Sequence, residues 1–319
     1  MKITHGEIDL SVIVCTTAET SVALRGCLGA LSRTLRGIRS ECIVPHDNLP
    51  FINAQLERRH AWVRFVNVGD EVRRRGLAKG SHERHHLFRA AGLAAAGGRV
   101  VAMIEDDSRP APQWARRVLL AHRRPLAAVG GVVENRSTGL VNWASYFCDY
   151  WRYQPPVPQG SSHWITDGNA AYNRLCLEQI QSTWQRSFHE PVVHGALRRL
   201  GHAMALSPKM VIFQHRTLGL GATLRRRFAW GRSYASVRAQ GWSRGRAMLY
   251  AAMCPALPLV RGGRLVAGVV RRGRHVGTLL AALPFILMLE IFWAAGECAG
   301  YSERPVRQLS MQPAEEGVC

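Results

Sequence analysis

Arg99-Val-Val-Ala-Met-Ile-Glu-Asp-Asp107 is the stretch on which the fold turns. The apolar run that ends at Ile104 follows Gly97-Gly98 and is too short for a helix, so it predicts a buried strand. Three carboxylates then stand at its carboxyl end. In open parallel sheets ligands bind beyond the carboxyl ends of strands. Three adjacent carboxylates repel one another unless a cation compensates them, and their oxygens suit Mg²⁺ or Mn²⁺, either of which can bridge a diphosphate. The plainer alternative is a solvated acidic turn that favours the next helix N-terminus.

Strands and helices alternate outward from this segment. Leu10–Cys15 predicts a buried strand, and Val22, Leu24, Cys27, Leu28, Leu31 and Leu35 recur at helical spacing up to Gly37. Further strands are predicted at 42–44, 62–68 and 127–133. Ser81 is placed to cap a helix running to Ala96, and Asp107 or Ser108 to cap another that carries Trp114, Val118 and Leu119. This alternation predicts an α/β domain over residues 1–221 with a mostly parallel sheet.

Composition narrows the partners. Of the 319 residues 47% are hydrophobic, which excludes wholesale disorder. Lys+Arg number 42 against 22 Asp+Glu, a net charge of +20, and Lys2, Lys79 and Lys209 are the only lysines. Arginine suits bidentate phosphate contacts, so nucleotides, nucleic acid and anionic lipid are the candidates beside a merely solvated basic surface. The eight cysteines form no CxxC pair, which fits reduced thiols in a cytosolic compartment. The opening ten residues are largely polar, and the apolar run Leu10–Cys15 is too short for a secretory signal.

The chain changes character after residue 221. A basic-aromatic region over 222–275 interleaves Arg225, Arg226 and Arg227 with Phe228 and Trp230. Within it, 247–260 is apolar and broken by Pro255 and Pro258, which predicts an interfacial or re-entrant segment, or a short second span. Residues 276–296 carry one charge, Glu290, and predict a transmembrane helix, with a buried core helix as the alternative; 297–319 is a tail. The arginines before the span put the first domain in the cytoplasm, at the inner (cytoplasmic) membrane. Glu290 is costly inside a bilayer and is expected to face protein.

Two further patterns carry chemistry. His82-Glu83-Arg84-His85-His86 matches HExxH, with Asp106 as a third ligand in a zinc hydrolase reading, although a polar helix start is the simpler account. His189-Glu190-Pro-Val-Val-His194 is one residue too long to match. Asp167-Gly168-Asn169 is read first as a tight turn.

Taken in order, these segments resemble the GT-A-fold glycosyltransferases of family 2. The matching pieces are Ser11–Thr16, Arg89–Leu93, Met103–Pro110 with Trp114, Val129–Gly131, Thr166–Tyr172 with Arg174, and Glu190. Arg198–Gly201, Ala205–Pro208 and Val211–His215 complete the series, which covers most of residues 10–215. Ala282-Leu-Pro284 and Trp293–Tyr301 look like the membrane tails of some bacterial members.

The resemblance implies a metal-dependent inverting transferase that moves a sugar from a nucleotide-sugar donor to a glycan or lipid-linked acceptor, with membrane lipid as a further partner. It implies that Thr16, Glu19, Asp47, Arg89, Asp106, Gly168 and Asn169 contact the nucleotide-sugar, that Asp106 and Asp107 hold Mg²⁺ or Mn²⁺, and that Glu190 is the general base. Arg227 and Trp230 fall near the diphosphate, or on a membrane-surface stripe. Two departures matter: Pro45-His-Asp-Asn48 offers only Asp47 where the family pairs aspartates, and Glu190 stands beside His189 and Pro191 instead of in an acidic pair. A basic protein binding nucleic acid or anionic lipid is the non-enzymatic alternative, but it needs no acidic cluster beyond a strand.

Overall fold

A computed structural model describes residues 8–16 and 20–303. Its strands are β1 (Leu10–Cys15), β2 (Ser40–His46), β3 (Val63–Asn67), β4 (Val100–Glu105), β5 (Ser108–Pro110), β6 (Ala128–Asn135), β7 (Gly160–Ser161), β8 (Asn169–Asn173) and β9 (Met204–Gln214). They form one sheet in the order β3-β2-β1-β4-β8-β6-β9-β5, with β7 paired to β9.

The first half of this sheet is parallel: β1 lies between β2 and β4, and Cys15 stands opposite Glu105. The second half is mixed. β8 runs antiparallel to both β4 and β6, while β6 and β9 are parallel. Side chains alternate across the sheet as strand geometry requires. Val12 and Val14 join one apolar layer with Leu24, Leu28 and Trp114, while Ile13 and Cys15 join the other with Leu93, Val193 and Leu197.

The first six helices are α1 (Ser21–Thr34), α2 (Ala54–Arg59), α3 (Gly69–Arg74), α4 (His82–Ala95), α5 (Trp114–Ala121) and α6 (Leu140–Tyr150). The rest are α7 (Arg174–Glu178), α8 (Glu190–Arg199), α9 (Leu220–Arg238), α10 (Arg244–Met253), α11 (Leu257–Arg272) and α12 (Val276–Ser302). Ser81 caps α4 by accepting from Arg84 N, the local signal its hydroxyl gives in the sequence. Capping by Asp107 or Ser108 is not observed. Ser108 pairs with Gln214 in the sheet, and α5 begins later, at Trp114. Long-range strand pairing overrides the local capping preference here.

Among the described residues, the stretch after Gly219 is mostly helical. A single 3₁₀ turn at Cys254–Ala256 joins α10 to α11, and the two prolines lie at this junction, in first-turn positions where a missing N–H costs nothing. Residues Arg244–Arg272 and Val276–Ser302 are both long and apolar enough to cross a membrane. Leu259, Leu280, Leu287 and Ile291 face outward from them, whereas Leu279, Ala282, Ile286 and Leu289 of α12 join the core beside α6. Glu290 is buried and accepts from Arg261 Nε of α11 at 2.5 Å, so it faces protein.

α12 lies against α9 at backbone contact distance. A Cβ on Gly296 would stand 2.1 Å from the Phe228 carbonyl oxygen, and one on Gly231 would stand 2.2 Å from that of Trp293. Small residues permit this approach, the usual device where helices pack in lipid. Gly296→Leu is therefore expected to force the helices apart and destabilise the chain by about 1–3 kcal/mol. An unchanged melting midpoint in detergent would show that the contact is not tight.

Candidate functional site

The carboxyl end of β4 presents its acids inward. Glu105, Asp106 and Asp107 are all buried, with Asp106 fully enclosed. Asp106 N donates to Cys15 O at 3.0 Å and His215 N to Asp107 O at 2.8 Å, so both neighbouring strand ends fix this turn.

Two buried arginines organise the carboxylates. Arg216, just beyond β9, contacts Glu105 through Nη2 at 2.5 Å, Asp107 through Nε at 2.5 Å and Asp149 of α6 through Nη1 at 3.4 Å. Arg89 of α4 reaches Asp167 at 2.8 Å and Glu105 at 3.5 Å. Burial opposes ionisation of Glu105, but Arg216 and Arg89 outweigh it and hold its pKa below the usual carboxylate value. Burial pushes Asp107 and Asp167 upward despite their arginines.

Glu190 opens α8. Its Oε2 accepts from Asp167 N at 3.0 Å, and His194 lies 3.8 Å from its other oxygen. Burial, then the nearby Asp167 charge, raise its pKa well above normal, the shift that suits a carboxylate to take a proton near neutral pH.

A cleft of about 530 Å³ opens on Asp107. Arg109, Arg136, His215, Arg216 and Arg226 line it, with Ser137 and Thr138, and Asp107 is its one carboxylate among the described residues. Asp107 also fits a cation: Oδ2 meets Arg216, but buried Oδ1 has no hydrogen-bond partner among the described residues.

The other predicted residues are placed as follows. Thr16 is buried and donates to Pro45 O at 3.3 Å; Glu19 lies outside the described residues. Asp47 is paired with buried Arg84. Gly168 packs against Tyr150, whose hydroxyl donates to Glu105 at 3.2 Å. Asn169 spends its side chain inside the protein: Nδ2 donates to Val132 O and Met210 O, and Oδ1 accepts from Trp114 Nε1. Arg227 is buried against Asp149 at 2.8 Å, and its neighbour Arg226 is the one that lines the cleft. Trp230 stacks on His82, with ring centroids 5.1 Å apart.

The HExxH match is rearranged. Its histidines do share a face, with His82 and His86 rings 4.3 Å apart. The donor atoms that converge, however, belong to Glu83, His86 and His189, and neither His82 nor Asp106 is among them. The second histidine pattern thus supplies what the first lacks, through tertiary contact. The hydrolase reading, with Glu83 free as a base, is not the arrangement formed.

Sequence reading missed Arg216 and Asp149. One arginine cannot be singled out in so basic a chain. Asp149, though, is the lone charge in the apolar helix Leu140–Tyr150, and that was a usable signal.

No protein-family model and no curated protein sequence matches the chain. Among solved structures it is similar to a crystal structure of GalNAc-T7 with UDP, GalNAc and Mn²⁺, with a TM-score of 0.51 at 12% identity. The fold is GT-A. The match covers 75% of this chain and 52% of GalNAc-T7, so the chain spans about half the length of that protein. Its parallel half-sheet and acidic β4 end are thus set in a known framework.

His194 gives a pH prediction. Burial, then Arg198, push its pKa down to about 3, and its Nε2 meets Tyr172 Oη at 3.0 Å. The folded pKa lies below the unfolded one, so the stability it supports is present above the unfolded value and is lost as pH falls. Between about pH 7.5 and about pH 5 the loss should be about 2 kcal/mol. Melting of His194→Asn at both pH values should show a smaller difference than the parent; an equal difference would exclude His194 as the source.

Proposed function

We propose that this chain is a membrane-associated glycosyltransferase, similar to the bacterial members of family 2, that moves a sugar from a nucleotide-sugar donor to an acceptor hydroxyl. The observation that carries this reading is the buried carboxylate group at the end of β4, from which Asp107 opens onto a cleft walled by arginines. A nucleoside diphosphate is dianionic or more, and Arg109, Arg136 and Arg226 offer it donors in fixed forks.

Asp107, with Asp106 beside it, would hold a divalent cation such as Mg²⁺ or Mn²⁺. That ion, when bound, supplies charge stabilisation for the departing diphosphate. The chain does the rest. Arg216 keeps Asp107 and Glu105 oriented, and Arg89 keeps Asp167 against Glu105. Glu190 takes the proton of the acceptor hydroxyl as that oxygen attacks the anomeric carbon in one inverting displacement. Its raised pKa follows from its burial and then from its place beside Asp167. Thr16, Asp47, Gly168 and Asn169 have their polar groups or close contacts engaged within the protein.

The two apolar carboxy-terminal helices support a position at the inner membrane, with the arginine-rich domain on the cytoplasmic side. An acceptor carried by a lipid or a growing glycan follows from that position.

A thermal-shift panel of nucleoside diphosphates, with and without Mn²⁺, tests the reading. One base should raise the melting midpoint in a metal-dependent way, and Asp107→Ala should abolish the rise. If no diphosphate stabilises the protein under either condition, the reading fails. Glu190→Gln should lower kcat by about 10²–10⁴-fold while leaving the diphosphate shift intact.

A further inference from the structure

Apart from the acidic strand end, the described residues gather one other set of metal-ligating side chains, and it has a different chemistry. Glu83 and His86 stand three residues apart on α4, so they share a face of that helix. His189 comes from the segment just before α8. One donor atom from each of the three lies within 4.8 Å of the others. The His86 and His189 rings have centroids 4.1 Å apart, and His189 Nε2 stands 3.3 Å from Glu83 Oε2.

We propose that Glu83, His86 and His189 form a binding site for a transition-metal ion of the Zn²⁺ class, separate from the carboxylate site at β4. The placement is built into the backbone. Phe188 N donates to His86 O at 3.0 Å, which pins the loop carrying His189 to the helix carrying the other two ligands. His86 is 4% exposed, and its Nδ1 is buried with no hydrogen-bond partner among the described residues. In the neutral tautomer that carries its proton on Nε2, this nitrogen has a lone pair with no donor to meet it, and a cation would take that lone pair.

An outer shell is also present. Ser187 Oγ donates to Glu83 Oε2 at 3.5 Å, and Ser233 Oγ of α9 donates to Glu83 Oε1 at 3.2 Å. Such partners orient ligands and are normal around metal centres. Two imidazoles and one carboxylate make a borderline donor set that suits Zn²⁺ and its neighbours, with a fourth position left for water. Mg²⁺ prefers oxygen alone, so the two sites of this chain would sort different ions. A bound ion would join α4, the start of α8 and, through Ser233, α9. The binding itself is independent of the transferase reading.

The test uses the full-length protein in detergent, stripped of metal and titrated with Zn²⁺ or Co²⁺. The parent should retain one equivalent of Zn²⁺ through gel filtration, and Co²⁺ should give visible d–d absorption. Outer-shell losses cost about 10–100-fold in affinity, so His189→Ala, which removes a ligand, should lose at least about 100-fold and Ser233→Ala about 10-fold. Asp107→Asn should retain the equivalent, because its site is the other one. If His86→Ala does not fold, Glu83→Gln and His189→Asn address the same site. Failure of the parent to retain metal overturns the proposal, and so does undiminished binding in the folded ligand variants. Loss of the equivalent in Asp107→Asn alone would overturn it too, by placing the ion at β4.

Discussion

Glu105 sits between two buried guanidiniums, and the rest of the site depends on that arrangement. Arg216 approaches it from the end of β9 and Arg89 from α4. Each arginine carries a second acid, Asp107 and Asp167 respectively, so three carboxylates from two parts of the chain share two positive charges. Removing either arginine would leave uncompensated negative charge in the interior, which is far costlier than the pair itself is stabilising. The sheet order makes this possible. β4 lies at the centre, β8 beside it begins just after Asp167, and β9 delivers Arg216.

The helices that follow do not merely hang from this domain. Asp149 receives both Arg216 and Arg227, and Arg227 lies over Trp293 of α12 at 5.6 Å from its ring centroid. The apolar helix therefore forms part of the domain's own core on one side while its other side stays apolar and open. Glu290 and Glu297 are both buried within this bundle, the second against Trp293 and Tyr301. Polar groups placed in so apolar a helix are satisfied one by one.

Much of this was legible in the sequence, and the parts that were not have a common cause. The Leu10–Cys15 and Arg99–Ile104 strands, the Ser81 cap and the acids after Ile104 announce themselves through local pattern, and each lies where it was expected. The antiparallel β8, the short β5 and the Arg216 clamp are set by contacts between distant segments. No window of sequence contains both Ser108 and Gln214, or both Asp107 and Arg216. The histidine cluster shows the same limit: HExxH drew attention to His86, but the partner it meets, His189, stands a hundred residues away in a motif that fails its own spacing rule.

The line of ion pairs from Glu105 through Arg216 and Asp149 to Arg227 has an asymmetry in its chemistry. Guanidiniums do not give up their protons at any pH a folded protein experiences, so alkali has nothing in that line to neutralise. Acid does, since every second member is a carboxylate. The wiring between the strand end and the apolar helix can thus be cut from one direction only, the acid side.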